Sequence, residues 1–440
     1  MCRLRLSIQY STKPTLKQLK FVHTADLHLD TPFKGLATWN PLLADRLRDA
    51  TYRSLVNITN LCINENVDFL LVAGDIFDSE NASLAAQIRF LDELRRLTEH
   101  NIPVYFICGN HDHLGAWDSS FVLPEGVYRF GSSQVEKITF FRGGKPAADI
   151  YGISYSSSHI RESLVPLYKK PGGTAPVSIA MLHGMADVVG YDEKYAPFRL
   201  GELLDTPFDY WALGHVHRQR VLSEDPMVVY PGNPQGRDFG ETGSKGCYLV
   251  EMNEGGKPVA RFVPVHHIRF EEIGIDLTGV DSLSDMNDLV GAELDRVFSS
   301  LEAGRFMVRL RLTGRTKLHR KLVRSGETEQ MTEELNSRYG EGEDFLFVDS
   351  IELMTSPPVD VEKLAGRKDF TGELVRTIRR YEADDDMLEQ LVEKLFNELP
   401  AARVSRETGG LTRQEKRDAL DRAKWLLLER LAGDQGNGPL

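Results

Sequence analysis

Five short stretches of the chain carry aspartate, asparagine and histidine side chains directly after apolar runs. Carboxylate, amide and imidazole ligands without thiolate suit manganese, iron, zinc or magnesium better than a structural zinc site. Each apolar run predicts a buried strand, so the ligands should meet where strands give way to loops. Five such stretches together indicate a two-metal hydrolase. They are His23-Thr24-Ala25-Asp26-Leu27-His28, Gly74-Asp75-Ile76-Phe77-Asp78, Gly109-Asn110-His111-Asp112, Leu182-His183-Gly184 and Gly214-His215-Val216-His217.

The same stretches supply seven candidate metal ligands. Asp26 and His28 are alternate residues, so both can reach one ion from an extended segment. Asp75 follows a glycine, and its two carboxylate oxygens can bridge two ions. Two divalent ions roughly 3.5–4 Å apart can lower the pKa of a water molecule between them and hold a phosphoryl oxygen. The candidates are Asp26, His28, Asp75, Asn110, His183, His215 and His217.

Neighbouring polar residues have other expected roles. His111 is adjacent to a ligand but is not needed as one, so we expect it to protonate the leaving oxygen or stabilise its charge. Asp112 is the candidate to orient His111. His23 lies inside a predicted strand and is predicted to be a core histidine, and Asp78 is predicted to support the site or to cap a helix. A lone Asp-X-His or Gly-Asp pair is common in turns, so the inference rests on all five stretches.

The apolar pattern predicts the elements that position these side chains. Between residues 20 and 267, short strand-like runs alternate with helical segments. This pattern predicts an α/β fold in which two sheets pack face to face between helices. A helix predicted over 84–97 places four apolar residues near one face: Leu84, Ile88, Leu91 and Leu94.

Three further regions flank this segment. Residues 1–19 are predicted to be a polar N-terminal extension. Residues 268–355 predict a small βαβαβ domain. Residues 356–440 predict a helical tail, in which Thr412 and Glu415 form a capping-box pattern. The apolar stripes of the tail indicate either intramolecular packing or a surface for a partner helix.

Length, charge and cysteine content limit the class of protein. The 440 residues suffice for two or three domains. A formal net charge of -12 argues against a surface that binds nucleic acid everywhere, although it permits a local basic face. The four cysteines are far apart, which argues against a thiolate zinc site and a disulfide framework. With no signal-peptide core and no apolar run of roughly 20 residues, we expect a cytoplasmic protein that does not span a membrane.

The order of these motifs resembles that of the calcineurin-like metallophosphoesterase superfamily. Within it, the chain resembles the SbcD-like and YhaO-like DNA repair exonucleases, the nuclease half of nuclease–ATPase complexes that process double-strand breaks. The motif-level likeness covers about 21–250, and the remainder is similar only in layout. Three segments carry the likeness to the YhaO-like version: Phe21-Val22-His23-Thr24-Ala25-Asp26-Leu27-His28-Leu29-Asp30-Thr31-Pro32-Phe33, Tyr230-Pro231-Gly232-Asn233-Pro234-Gln235-Gly236-Arg237 and Glu241-Thr242-Gly243-Ser244-Lys245-Gly246.

The resemblance implies a two-sheet metallophosphoesterase sandwich flanked by helices, with a small βαβαβ capping domain and a helical C-terminal tail. It implies two divalent ions, generally Mn²⁺, and His111 as the catalytic histidine. It also implies DNA as substrate and an SMC-like or SbcC-like ATPase that binds the tail, and it allows a homodimer. Some relatives have a histidine in place of Asp78, which leaves the balance of exonuclease and endonuclease activity open. The implied ligand sets are Asp26, His28, Asp75 and His217 for the first ion, and Asp75, Asn110, His183 and His215 for the second.

A basic segment of the second domain is a candidate DNA surface. From Arg305 to Arg324 the chain has eight basic residues and no acidic one. On a strand, Arg309 and Arg311 would face the side opposite to the apolar residues. The alternative is a solvated sheet face, which is how most charge clusters occur. The candidate DNA contacts are Arg309, Arg311, Arg315 and Lys317, together with Arg218 and Arg237 after the motif loops.

Two other functions compete with a DNA nuclease. A phosphoprotein phosphatase, a nucleotidase or a cyclic-nucleotide phosphodiesterase could use the same metal ligands, because fold and metal pair do not fix the substrate. A non-catalytic scaffold on the same core should have lost ligands or the catalytic histidine. All seven candidate ligands and His111 are present, which disfavours the scaffold.

Overall fold

A computed structural model describes most of the chain. The described residues are 18–32, 41–78, 82–114, 122–169, 175–189, 192, 194–252, 257–299, 304–324, 326–359, 361–398 and 412–433. The predicted extension of residues 1–19 therefore lies almost entirely outside them. The chain divides into two compact units, Met1–Glu271 with Arg305–Met307 and Glu272–Gly304 with Val308–Leu440. The four-part division expected from the sequence stays a prediction.

Two six-stranded sheets form the first unit. Their strands begin and end as follows, in chain order: β1 (Leu19–Thr24), β2 (Phe69–Ala73), β3 (Val104–Ile107), β4 (Val127–Arg129), β5 (Glu136–Arg142), β6 (Lys145–Gly152), β7 (Val177–His183), β8 (Tyr210–Gly214), β9 (Arg220–Glu224), β10 (Met227–Tyr230), β11 (Gly246–Met252) and β12 (Val259–Pro264).

The order of the strands brings the loops that carry the motifs close together. The first sheet has the order β12-β11-β1-β2-β3-β4 and the second the order β5-β6-β7-β8-β10-β9. Strands β1 to β4 are parallel, and so are β6, β7, β8 and β10. Parallel strands of one sheet end at the same edge, so the loops after β1, β2 and β3, and those after β7 and β8, gather at strand ends. The predicted two-sheet α/β architecture is confirmed.

A buried apolar layer lies between the two sheets. Side chains alternate along each strand, so every second residue of both sheets faces this layer. Phe21 stacks on Phe69 with ring centroids 5.0 Å apart, and the edge of Tyr210 from the other sheet meets Phe21 at 5.3 Å. These three aromatic side chains are fully buried. They tie the strands that precede the first, second and fifth motif stretches into one core.

Helices α1 (Pro41–Asn64) and α2 (Leu84–Glu99) pack their apolar residues in the core on the other face of the first sheet. The predicted apolar face of α2 is wrong in part, because Leu84 and Ile88 are 72% and 48% exposed. The helix instead buries Phe90, whose ring packs between those of Phe77 and Phe106 at 5.7 and 6.2 Å. The buried residues of α2 are Ala86, Phe90, Leu94 and Leu97.

The second sheet is covered by irregular chain and a short helix. Helix α3 (Leu200–Leu204) contributes Leu203 to an apolar cluster around Trp211. The indole N–H of Trp211 donates to the hydroxyl of Thr206 at 3.1 Å, which satisfies its one polar group. The sheet that carries β7 and β8 is therefore buried on both faces, as expected for parallel strands.

A three-stranded sheet and a helical segment make up the rest of the described chain. Strands β13 (Arg269–Asp276), β14 (Arg305–Arg315) and β15 (Phe345–Ser356) pair in that order. The predicted βαβαβ order is observed, except that Gly326, at a φ of +61°, divides the second helical part. The helices are α4 (Leu283–Phe298), α5 (His319–Arg324), α6 (Glu327–Tyr339), α7 (Val361–Ala365), α8 (Phe370–Ala383), α9 (Asp385–Glu398) and α10 (Arg413–Gly433).

Ion pairs and a few buried apolar residues connect the tail helices. The predicted capping box is present, with the Thr412 N–H donating to the Glu415 carboxylate at 2.7 Å. Leu388 of α9 and Leu428 of α10 are buried, whereas Leu427 is 43% exposed. Among the described residues, no helix is long and apolar enough to cross a membrane. In the part of the chain that the structure describes, four ion pairs link α10 to the two preceding helices: Arg413–Asp385, Lys416–Glu389, Arg417–Asp385 and Lys424–Glu382.

We expect Phe69→Ala to lower the free energy of unfolding by about 3–5 kcal/mol, because it removes a buried ring and leaves a cavity between the sheets. Phe141→Ala is the matched control, since Phe141 is 57% exposed on β5. Its expected effect is within about 0.5 kcal/mol. Urea unfolding followed by far-UV circular dichroism measures both. Equal losses in the two variants would contradict the placement of Phe69 in the inter-sheet core.

Candidate metal centre

The backbone at the strand ends adopts angles that side-chain-bearing residues rarely take. The φ angles are +54° for Asp26, +44° for His28, +51° for Asp75 and +98° for His215. Each such angle costs of order 1–3 kcal/mol and persists only where the surroundings impose it. Two backbone hydrogen bonds impose it here, from the Asp26 N–H to the Gly74 oxygen at 3.0 Å and from the His28 N–H to the Asp75 oxygen at 3.1 Å. The loops after β1 and β2 are thereby locked together.

One group of candidate ligands contains Asp26, His28 and His217. Their ligand atoms lie within 4.8 Å of one another. The Nε2 atoms of His28 and His217 are 3.0 Å apart. The Asp26 carboxylate accepts the backbone N–H of His215 at 2.9 Å, which connects the loop after β1 to the loop after β8. Residues 189 positions apart in the chain thus meet at one point.

A second group contains Asp75, His183 and His215, again within 4.8 Å. The Asn110 side-chain oxygen lies 3.1 Å from His183 Nε2 and 3.1 Å from His215 Nδ1, so it belongs to the same group. The Nδ1–H of His183 donates to the Ala73 carbonyl oxygen at 2.9 Å. This bond fixes the tautomer and leaves the Nε2 lone pair for a ligand.

The Asp75 carboxylate lies between the two groups. Its Oδ2 is 3.8 Å from His28 Nε2 in the first group and 3.4 Å from His183 Nε2 in the second. Its Oδ1 accepts the backbone N–H of His111 at 3.0 Å. The structure therefore brings all seven predicted ligands together, with Asp75 in the position of a bridge.

The donor set fits divalent cations. Carboxylates face the Nδ1 atoms of both His28 and His217, which favours protons there and turns two Nε2 lone pairs towards each other. In the second group, Nε2 of His183 faces the oxygens of Asn110 and Asp75, so either its proton or a cation has to lie between them. Acceptors that face acceptors at hydrogen-bond distance need a positive charge between them. Nitrogen and oxygen donors of this kind suit Mn²⁺, Fe²⁺ and Zn²⁺. Mg²⁺ prefers sites with fewer nitrogen donors.

Burial and charge set the protonation of the histidines. Burial lowers the pKa of His28 to about 4 and, with the help of His183, lowers the pKa of His215 to about 3. Burial alone would also lower the pKa of His183, but the facing Asp75 carboxylate raises it to about 9. Burial would raise the pKa of Asp75, yet His183 and His28 hold it well below its usual range. His28 and His215 are therefore neutral, the form that binds metal, whereas a cation would have to displace a proton from His183.

His111 is oriented by Asp78 and not by Asp112, which corrects the expected role of Asp112. The Nδ1–H of His111 donates to the backbone oxygen of Asp78 at 3.0 Å. The two oxygens of Asp112 instead accept the backbone N–H groups of Gly109 at 2.8 Å and Ile76 at 2.9 Å. Burial and the Asp75 charge raise the pKa of Asp112 to about 7. Asp112 therefore holds the loops after β2 and β3 together.

Asp78 and His23 take the positions expected of supporting residues. Asp78 Oδ1 lies 3.0 Å from His28 Nδ1, on the side of the ring opposite to the ligand nitrogen. The fully buried His23 contacts the Tyr210 hydroxyl at 2.9 Å and the Leu213 carbonyl oxygen at 3.2 Å. Both ring nitrogens of His23 are thus used within the core.

Glu241 is a functional candidate that the sequence analysis missed. Its Oε1 lies 2.7 Å from Nδ1 of His217. Burial would raise the pKa of Glu241, but His217 and Arg237 hold it well below its usual range. The sequence marks Glu241 only as the first residue of a segment that carries the family likeness. No spacing rule relates Glu241 to a histidine 24 positions earlier in the chain.

The predicted phosphate contacts of Arg237 are not supported. Its side chain is only 20% exposed, and the guanidinium pairs with Asp78 at 2.8 Å and Glu241 at 3.3 Å. Arg218 is exposed and lines a cavity of about 410 Å³ beside His217, together with Lys245. Lys245 donates from Nζ to the His217 backbone oxygen at 3.0 Å. Two cationic side chains therefore flank one ligand of the centre.

The basic strand β14 is paired with acidic neighbours, which favours a solvated sheet face over a DNA surface. Arg309 contacts Asp349 at 3.4 Å and lies 3.7 Å from both Glu272 and Glu352. Arg311 pairs with Glu272 and Glu352, each at 2.8 Å. The alternative of a solvated sheet face with cross-strand ion pairs describes these residues better.

Two further basic residues of this segment also have partners. Lys317 pairs with Asp281 at 2.6 Å. The Arg315 guanidinium carbon lies 5.4 Å from the ring centroid of Trp425, which is within cation–π range. The charge of Lys317 is thus paired with a carboxylate, whereas that of Arg315 lies over an aromatic ring.

Gly109→Ala is expected to remove metal binding, because a Cβ at this position would lie 2.1 Å from Asp75 Oδ1 and displace the bridging carboxylate. Gly201→Ala in α3 is the control, since a Cβ there meets nothing within 4 Å. Elemental analysis after dialysis against Mn²⁺ gives the ions bound per chain. Unchanged stoichiometry in Gly109→Ala would contradict the bridging position of Asp75.

Comparison with known proteins agrees with this geometry. Residues 19–219 match the family model of the calcineurin-like phosphoesterases, and residues 270–356 match that of the middle domain of metallophosphoesterase YhaO. The chain is 35% identical to the uncharacterized metallophosphoesterase YhaO of Bacillus subtilis over 84% of this chain and 89% of that protein.

More distant relatives match a little over half of the chain. The DNA double-strand break repair protein Mre11 of Sulfolobus acidocaldarius is 27% identical over 56% of this chain and 64% of that protein. A solved dimetal phosphatase of Danio rerio aligns with 11% identity and a TM-score of 0.34 over 56% of this chain and 96% of that one. The match to YhaO spans most of both chains, and the family model includes all seven candidate ligands. The chain belongs to the calcineurin-like phosphoesterase family.

Proposed function

We propose that the protein is a two-metal phosphodiesterase that cleaves DNA ends. The observation that carries the proposal is the Asp75 carboxylate between two groups of buried ligands, with His111 beside it. Two divalent cations in this centre, of which Mn²⁺ is favoured by the family resemblance, would supply Lewis acidity towards a phosphate and a nucleophile at neutral pH. The seven ligand residues would hold these cations.

The protein's own groups divide the remaining work. His111 is half-buried, and its Nδ1–H is engaged by the Asp78 carbonyl oxygen. That bond fixes the ring and leaves Nε2 to hold or release a proton at the leaving oxygen. Asp112 keeps the His111 loop against the Asp75 loop through its two backbone hydrogen bonds. The buried core below the centre limits water to the open side of the ligands.

Two observations favour DNA over a small phosphate ester. The relatives that match half of this chain or more include DNA double-strand break repair proteins. The cavity beside His217 carries Arg218 and Lys245, whose charges would suit a second phosphate next to the scissile one. A phosphate monoester has no such second phosphate. The cavity therefore favours an extended phosphodiester chain.

A phosphatase, nucleotidase or cyclic-nucleotide phosphodiesterase is the second candidate function. The ligand geometry serves any of these substrates, because two cations bind one phosphoryl group in each case. The discriminating measurement compares turnover of an end-labelled DNA duplex with turnover of p-nitrophenyl phosphate and nucleotides. A strong preference for the small substrates would replace DNA as the proposed substrate.

A partner ATPase is proposed for the helical tail. Leu395 of α9 and Leu426 and Leu427 of α10 are 52%, 57% and 43% exposed. The family resemblance suggests the coiled coil of an SMC-like ATPase as the helix that covers such residues. Loss of co-purification after substitution of these three leucines by glutamine would support this partner.

We expect His111→Gln to lower Mn²⁺-dependent cleavage of an end-labelled duplex by about 10²- to 10⁴-fold, because it removes a proton donor without removing a ligand. Metal stoichiometry should stay that of the wild type. His100→Gln is the control, since His100 caps α2 by bonding its own helix. Chelator should abolish cleavage in the wild type. Wild-type turnover in His111→Gln would contradict the proposed mechanism.

We expect Arg218→Gln to weaken DNA binding and to reduce the dependence of log affinity on log salt by about one unit. The double variant Arg309→Gln with Arg311→Gln should leave that slope unchanged, because both guanidiniums are already matched by carboxylates. Fluorescence anisotropy of labelled DNA at several salt concentrations measures the slopes. If only the double variant reduced the slope, the DNA-binding surface would have to be assigned to β14 instead.

A further inference from the structure

Arg237 lies between two carboxylates that each face a histidine of the first ligand group. Its Nη1 donates to Asp78 Oδ1 at 2.8 Å, and Asp78 Oδ1 is 3.0 Å from Nδ1 of His28. Its Nη2 donates to Glu241 Oε1 at 3.3 Å, and Glu241 Oε1 is 2.7 Å from Nδ1 of His217. One guanidinium thus connects the outer nitrogens of both imidazoles through two acidic side chains.

The contacts with both carboxylates require an arginine. A carboxylate at Nδ1 fixes the tautomer and the ring orientation of a metal-binding histidine. Asp78, Arg237 and Glu241 are 20%, 20% and 12% exposed, so the two negative charges need a counter-charge within the protein. The planar guanidinium offers two donors in a fixed fork and can serve both carboxylates at once, whereas a lysine ammonium is a single point charge.

The loop that carries Arg237 is held in the same arrangement. Glu241 Oε2 accepts the backbone N–H of Arg237 at 2.9 Å and the Asn233 side-chain N–H at 2.7 Å. Gly232, at a φ of +76°, brings the loop so close to His217 that a Cβ would lie 2.8 Å from its backbone oxygen. The segment from Tyr230 to Glu241 is therefore built around His217.

The second ligand group has no such support. His183 donates its Nδ1–H to the Ala73 backbone oxygen, and His215 directs its Nδ1 to Asn110. Backbone and ligand atoms orient this group, and Arg237 contacts neither histidine among the described contacts. The two groups thus differ in what holds their imidazoles.

We propose that Asp78, Arg237 and Glu241 form a positioning clamp that sets cation affinity at the Asp26–His28–His217 group and leaves the Asp75–Asn110–His183–His215 group unaffected. Arg237 acts through the two carboxylates and through its own Nη2, which lies 3.1 Å from Nδ1 of His217, and it is a positioning residue. The proposal rests on the two-metal site of the proposed function, but it concerns binding and not the substrate. It assigns the Tyr230–Glu241 segment to the assembly of one metal position.

The test is Mn²⁺ binding to chelator-stripped protein, followed by electron paramagnetic resonance and by counting bound ions. The wild type should bind two ions that are spin-coupled. Arg237→Met should keep one ion with wild-type affinity, weaken the other by about 10- to 100-fold, and show the six-line signal of an isolated Mn²⁺. Arg237→Lys should fall between them, because it restores charge without the fork. Arg261→Met is the control, since Arg261 is exposed on β12 and pairs only with Glu65 among the described contacts.

The outcomes separate the two proposals. Equal weakening of both ions, or no weakening, in Arg237→Met overturns the clamp. Failure of the wild type to bind two ions overturns the two-metal centre itself. If Arg237→Met loses its circular dichroism spectrum, Glu241→Gln serves instead, because it keeps the size of the side chain and removes the charge that faces His217. Glu241→Gln should also weaken a single ion, and retention of two tight ions in that variant would contradict the clamp.

Discussion

The convergence of buried acceptors around Asp75 is the constraint on which the site depends. Asp26 and Asp75 are almost fully buried, and taking a carboxylate out of water costs several kcal/mol unless it is paired. Backbone N–H groups of His215 and His111 satisfy part of this need. The remaining oxygens face histidine nitrogens whose lone pairs also seek a positive charge. Cations would complete this arrangement, and we infer that the strained backbone at the strand ends serves to hold them.

Much of this arrangement could be predicted because it is local. An apolar run indicates where a buried strand ends, as the wholly apolar run Phe69–Ala73 does for β2. A polar residue directly after such a run must lie at the edge of the sheet. Strands β4, β5 and β9 are short or only partly buried, so their residues lack a continuous apolar pattern from which they could be predicted. The buried face of α2 is set by aromatic rings on other elements. The periodicity of the helix's own sequence carries no information about those rings.

Pairings between distant segments could not be predicted. Arg309 and Arg311 formed a conspicuous basic run in the sequence, but the acidic residues that match them lie about 40 positions away on neighbouring strands. The sequence of one strand shows which residues are charged. Only the paired sheet shows which opposite charges lie beside them. The same limit applies to His111, because Asp112 is its neighbour in the chain and Asp78 is its neighbour in space. Proximity in sequence was a poor guide to side-chain partners at the site.

The two ligand groups also differ in how strongly the orientation of their histidines depends on other side chains. A histidine held by a backbone carbonyl, as His183 is by Ala73, keeps its orientation whatever side chains surround it. A histidine held by a carboxylate depends on that side chain and on the cation that balances it. His28 and His217 depend in this way on Asp78, Glu241 and the half-buried Arg237. Substitutions outside the ligand set can therefore alter one position of the centre while the other keeps its geometry, and that asymmetry follows from hydrogen bonding alone.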